Sequence, residues 1–93
     1  MMSLESRPRM AGRARLRFDR QAQQHILLYP ERGLALNATA AEIVKLCTGE
    51  NTVATIIDRL AARPGAPPPD VVAREVLSFL ERMVDRALVE TAA

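Results

Sequence analysis

The spacing of the apolar residues changes at Asn37, and that change limits the fold more than any other feature of this chain. Before it, Leu16 and Phe18 alternate with Arg15, Arg17 and Asp19, the period-2 pattern of a strand with one wet face. Arg20 to Gln24 is polar and reads as a connection. A second strand, His25–Tyr29, is stopped by Pro30 and turned through Glu31-Arg32-Gly33, and the chain resumes as a third strand, Leu34-Ala35-Leu36. Gaps this short favour an antiparallel meander.

After Asn37 the period becomes 3.6. The first helix is predicted from about Ala40 to Cys47, with Ala40, Ile43, Val44 and Cys47 on one stripe. Thr39-Ala40-Ala41-Glu42 has the spacing of a capping box, and Gly49 offers a left-handed residue to end the helix. Thr52 caps a second helix whose Val53, Ile56, Ile57 and Leu60 recur at i, i+3, i+4 and i+7. Arg63 to Pro69 carries four prolines and Gly65 and reads as a stiff connector. Asp70 is expected to cap a third helix reaching about Arg86. Leu88-Val89 then either tucks against the sheet or ends the helix. The expected class is α+β and winged helix-turn-helix-like, a three-stranded antiparallel sheet followed by three helices.

Ninety-three residues are enough for one small domain. Aromatics are scarce (Phe18, Tyr29, Phe79, no Trp), so Leu, Ile, Val and Ala must build the core. Residues 1–20 hold six arginines against Glu5 and Asp19, a surplus of +4. The remaining residues hold seven basic and nine acidic groups, or −2. Residues 1–12 therefore read as a disordered basic tail, with contact to nucleic acid as the alternative, and residues 13–93 as the folded domain. No apolar run reaches the length of a membrane span, and the Arg-rich start does not lead into a signal-peptide core. A cytoplasmic protein without membrane contact is expected.

Catalytic constellations are missing from the pattern. One His and one Cys cannot build a metal cluster or an oriented Cys–His pair, and the four glycines are scattered. His25 reads as a half-exposed polar residue at the start of a strand, and Cys47 as a small buried hydrophobe. No enzyme activity, metal or cofactor is expected.

The third helix is unusual. Its apolar residues from Val72 to Leu88 cover an arc of roughly 180°, against the minimum of about 100° for a helix packed on one side. It can be the central core helix, or its surplus arc can wall a groove or a dimer interface. Glu75, Glu81 and Asp85 alternate with Arg74, Arg82 and Arg86 and read as a salt-bridged wet face. Sheet plus three helices also fits a small winged helix-turn-helix DNA-binding protein. A DNA-reading helix needs a cationic surplus, however, and this helix balances three arginines with three acids. No nucleic-acid partner is expected.

Leu16-Arg17-Phe18-Asp19, Leu27-Leu28-Tyr29-Pro30-Glu31, Leu36-Asn37 with Thr39-Ala40, and the helix end Leu46-Cys47-x-Gly49 together resemble the PqqD family. The likeness continues through Thr52-Val53, Phe79-Leu80 and Leu88-Val89. Thr48 stands where that family commonly has Asp, and Ala87 where it often has Gly. The resemblance implies a peptide chaperone and recognition module for ribosomally made, modified peptides. It would bind the leader of the precursor peptide PqqA and present it to PqqE, a radical S-adenosylmethionine (SAM) enzyme of pyrroloquinoline quinone (PQQ) biosynthesis. By position, the resemblance places the incoming strand on the edge Leu34, Ala35 and Leu36, with Val76, Leu77 and Leu80 as the apolar wall. Tyr29, Pro30 and Glu31 would shape the turn, and Asn37 the entry to the first helix. Main-chain pairing on a slightly acidic body predicts binding with little dependence on salt. An open edge also allows either a monomer or a homodimer.

Overall fold

A computed structural model describes residues 2–29 and 32–92. The central sheet is the predicted meander: β2 (Arg15–Asp19), β3 (Gln24–Tyr29) and β4 (Arg32–Leu36), all antiparallel, with β3 in the middle. The register pairs Leu16 with Leu27 and Leu27 with Leu34, so these three leucines share the inner face. Leu27 is fully buried there. Pro30 and Glu31, read as the turn between β3 and β4, lie outside the described residues. The outer face carries Ile26 and Leu28, and Gly33 keeps it flat, since a Cβ there would meet Ile26 Cγ2 at 3.3 Å.

Three helices follow: α1 (Ala38–Leu46), α2 (Val53–Ala61) and α3 (Pro69–Asp85). The capping box is not the start of α1. Asn37 is the cap instead, its Oδ1 accepting from the Ala40 N–H at 2.8 Å, and Thr39 lies inside the first turn. The short Asn side chain reaches the third residue from just outside the helix. Cys47 closes α1, and the left-handed Gly49 (φ +88°) comes two residues later, where its N–H donates to Pro8 O at 2.9 Å. Thr52 caps α2 as expected, accepting from the Thr55 N–H at 3.1 Å. Asp70 does not cap α3. The helix opens on Pro69, whose missing N–H costs nothing in the first turn, and Asp70 sits one residue further in.

The largest departure is at the N-terminus. The expected disordered arm over residues 1–12 gives way to a strand, β1 (Arg7–Met10), paired antiparallel with β5 (Val89–Ala92) in a second sheet. Pro8 is fully buried, and Met2 and Ala11 are buried. The segment also supplies backbone partners to its neighbours. Ser6 O and Leu4 O accept from the Val53 and Ala54 N–H groups, two otherwise orphan donors at the start of α2. Met10 N–H donates to Cys47 O at 3.1 Å, and Ala11 N–H to Leu88 O at 2.9 Å. The arginines that suggested a solvated tail are compatible with this, because Arg7 and Arg9 alternate outward while Pro8 and Met10 face in. Leu88-Val89 thus neither tucks against the central sheet nor ends the helix; it leads into β5.

One core unites these parts. Leu27 and Leu36 from the sheet meet Ile43 and Val44 of α1, Val53, Ile56 and Leu60 of α2, and Val76, Phe79, Leu80 and Met83 of α3, with Leu88 and Val89 closing the far side. No polar or charged residue is buried among the described residues. The exit of α3 is a Schellman turn: Leu88 N–H donates to Met83 O and Ala87 N–H to Val84 O, both at 2.9 Å. Ala87 occupies the left-handed position at φ +59°, where a Cβ is strained by roughly 1–2 kcal/mol.

Two outcomes follow from this arrangement. Ala87→Gly is expected to raise stability by about 1 kcal/mol in urea unfolding, because it relieves that strain without removing a contact. Deleting residues 2–11 is expected to lower the unfolding midpoint sharply, whereas Arg9→Ala, which removes the exposed 3.1 Å pair with Glu90 and the side-chain stem beside Gly49, should cost less than about 1 kcal/mol. Equal midpoints for the truncated and full chains would show that β1 adds nothing.

Candidate functional site

β3 is paired on both sides, so β2 and β4 are the two edges of the central sheet, and among the described residues neither has a partner on its outer side. β4 faces a helix across a gap. A cleft of about 200 Å³ lies between β4 and the C-terminal half of α3, lined by Leu34, Ala35, Leu36, Asn37, Ala40, Phe79, Arg82, Met83 and Arg86. It shares Asn37, Ala40, Phe79 and Arg82 with a larger hollow of about 590 Å³ between α1 and α3. The result is one trough along α3, with the β4 edge as its far bank.

The chemistry of the trough follows from the elements that build it. Leu36, Ala40, Phe79 and Met83 are buried and form an apolar floor, to which Leu34 adds a half-buried side chain. Asn37 caps α1 and so fixes the corner where β4 becomes helix. Arg82 and Arg86 stand exposed on the rim, and the Arg82 guanidinium carbon lies 6.0 Å from the centre of the Phe79 ring. The trough thus combines main-chain donors and acceptors on one bank, an apolar floor and a polar rim.

Of the residues expected at the site, Leu34, Ala35 and Leu36 do line the trough. The residues of the expected helix wall are placed differently from the strand residues. Val76 and Leu80 are fully buried and belong to the core, and Leu77 is half-buried but lines none of the hollows described above. The trough lies on the other flank of the helical arc, along Phe79, Arg82, Met83 and Arg86. Apolar content alone could not choose between flanks, because both carry large hydrophobes. The arginines held the missing signal. Arg82 and Arg86 are four residues apart, as are Glu81 and Asp85, so like charges stack along α3 and neither row neutralises itself. The expected salt-bridged face is accordingly corrected: the ion pairs among the described residues are Arg9–Glu90, Lys45–Glu42 and Arg63–Glu42, none of them on α3.

The other residues weighed for chemistry are placed as follows. Cys47 is buried, its thiol donates to Ile43 O at 3.2 Å, and burial pushes its pKa up to about 12. It is therefore a protonated, unreactive thiol at neutral pH. His25 is half-exposed and meets Phe18 edge-to-face at 5.0 Å. No group of three or more His, Cys, Asp or Glu able to hold a metal occurs among the described residues, and none of their helices is long and apolar enough to cross a membrane.

A small sheet with one open edge beside a troughed helix defines a class of peptide-recognition domain. A family model described as Coenzyme PQQ synthesis protein D (PqqD) matches residues 24–89, and the chain belongs to that family. It is 40% identical over 91 residues to a PqqA binding protein of Rhodopseudomonas palustris (strain TIE-1), covering 98% of this chain and 88% of that one. It is 34% identical over 83 residues to the bifunctional coenzyme PQQ synthesis protein C/D of Methylorubrum extorquens, covering 89% of this chain and 22% of that longer protein. Among solved structures it is similar to the PqqD truncation of Methylobacterium extorquens PqqCD, determined by solution NMR. The TM-score is 0.81 and the identity 32%, over 97% of this chain and 95% of that one. That protein is described as a functional, stand-alone recognition element for ribosomally synthesised, post-translationally modified peptides. The comparisons give the DNA-binding alternative no support.

Because Leu80 is fully buried, Leu80→Ala is expected to cost about 2–5 kcal/mol in chemical unfolding. Any effect on the trough would come through lost folding. A loss below about 1 kcal/mol would instead place Leu80 at a wet surface.

Proposed function

We propose that this chain is a cytoplasmic peptide chaperone of PQQ synthesis. It binds a PqqA-type precursor peptide as a fourth strand on β4 and presents it to the radical SAM enzyme PqqE. The observation that carries this reading is the unpaired outer edge of β4 lying along an apolar-floored trough. Main-chain groups of Leu34, Ala35 and Leu36 give affinity that tolerates sequence variation, and alternate side chains of the peptide enter the trough. The relatives named as PqqA binding proteins support the choice of ligand. Fusion of a PqqD-like segment to PqqC in one relative supports a role beside an enzyme of the pathway rather than catalysis by this domain. The same open edge gives a second copy of the chain a place to pair, so the protein is a monomer or a homodimer in its free form.

Strand polarity makes the reading testable at one position. In this reading Tyr29 and Arg32, which are register partners, form a hydrogen-bonded pair. Hydrogen-bonded and non-bonded pairs alternate along an antiparallel ladder, so Ala35, opposite Ile26, directs its N–H and C=O to the open edge. Ala35→Pro removes that donor and sets a ring where the incoming strand must lie. It is expected to weaken binding of a synthetic PqqA peptide by roughly tenfold, while unfolding of the free protein changes little. In a titration of isotope-labelled protein, peptide-induced shifts should fall on β4 and on the Phe79–Arg86 flank of α3. The reading fails if proline variants at Leu34, Ala35 and Leu36 that remain folded bind as the parent does. It also fails if duplex DNA binds more tightly than the peptide at physiological salt.

A further inference from the structure

The trough has a charge that the balance of the whole chain conceals. Among the described residues, those lining the cleft beside β4 include Arg82 and Arg86 and not one carboxylate. Neither arginine has an ion-pair partner among the described residues. The ridge continues through Ser78 to Arg74 at the same four-residue step, but Glu75 joins the lining there and offsets the charge. Among the described residues, positive charge without a lining carboxylate thus lies at the end of the trough that faces the β4 edge. The Arg82 guanidinium carbon lies 6.0 Å from the Phe79 ring centre, at the outer limit of a cation–π contact.

We infer that the groove between β4 and α3 selects an acidic segment, in which carboxylates two residues apart on the incoming strand meet Arg82 and Arg86. This rests on the strand-addition reading and adds the ligand's chemistry to it. Spacing supports the match. Four residues of helix advance about 6 Å, and two residues of strand advance about 6.7 Å, so a strand laid along α3 presents same-face side chains at nearly the interval of the two guanidinium groups. Each guanidinium offers a planar fork suited to a carboxylate. The expectation of little salt dependence, drawn from main-chain pairing and a slightly acidic body, is thereby revised, because at a Debye length of about 8 Å the local charges dominate. A purely structural role is the rival, since cations in the last turn of a helix also favour its dipole. That role would show in stability and not in affinity.

The test is calorimetric titration of a synthetic PqqA peptide into the parent protein, Arg82→Gln, Arg86→Gln, the double Gln variant and the double Lys variant. Each titration is run at low and at physiological ionic strength, with thermal unfolding of every free protein. A second peptide carries Gln and Asn in place of Glu and Asp. The parent is expected to bind the first peptide less tightly as salt rises. Each single Gln variant should lose up to about fivefold, and the double variant on the order of tenfold together with most of the salt dependence. The double Lys variant should keep most of the salt dependence, because charge is retained while the fork is lost. The neutral peptide should bind the parent weakly and should not distinguish parent from double Gln variant. If the parent binds the first peptide with equal affinity at both salts, the inference is overturned and strand addition stands. The same holds if the double Gln variant loses stability but binds like the parent. If the parent binds neither peptide, the strand-addition reading falls, and this inference with it.

Discussion

Val76 and Leu80 lose all contact with solvent at the middle of α3, and the placing of the other elements follows from covering them. A helix that is apolar over about half its circumference cannot be buried by one neighbour. α2 packs along it, β5 crosses its far end, and the core reaches the sheet through Leu27 and Leu36. The Schellman turn at Ala87 joins these two tasks. It ends α3 and aims the chain back along β1, accepting a strained left-handed alanine to do so. Without β1 on its other side, β5 would be a lone strand with unsatisfied backbone. The N-terminal segment is therefore part of the cover over α3 and not an appendage.

What this arrangement leaves uncovered is as informative as what it buries. The three-stranded sheet has two edges, and a bare edge invites unwanted pairing. β2 is guarded by Arg15 and Arg17, charges spaced along a short strand. β4 has Arg32 at one end, but its centre, Gly33-Leu34-Ala35-Leu36, bears no charge. The uncharged edge is also the one that lies beside a trough in α3. Among the described residues, β4 is thus the edge that combines an uncharged centre with a neighbouring cleft.

Charge follows the same division of space. The chain as a whole is nearly neutral, and its surplus of arginine lies in the first twenty residues. In the folded protein Arg9 is paired with Glu90 on the outside of the second sheet. The arginines that face the proposed ligand are two from the acidic remainder of the chain. Net charge is a sum over all directions, whereas a ligand within a Debye length meets only the side chains on one flank of one helix.

The strands Leu16–Phe18, His25–Tyr29 and Leu34–Leu36, the Thr52 cap and the 3.6-residue stripe of α2 were legible in the sequence, because each depends on residues within a few positions of one another. The β4 edge was legible for the same reason: nothing in the meander pattern offered it a second partner. β1 was signalled only by the four-residue alternation Arg7-Pro8-Arg9-Met10, too short to outweigh its arginines. Its partner lies some eighty residues away, and such pairing leaves no local periodicity. The choice of Asn37 over Thr39 as the cap was likewise decided by where β4 ends in space. The sequence by itself determined that α3 carries more apolar surface than one neighbour can cover. Only the tertiary structure decided that Val76 and Leu80 turn inward while Phe79, Arg82, Met83 and Arg86 line the trough. The rotation of a helix about its own axis is set by every element packed against it at once, and no window along the chain contains them all.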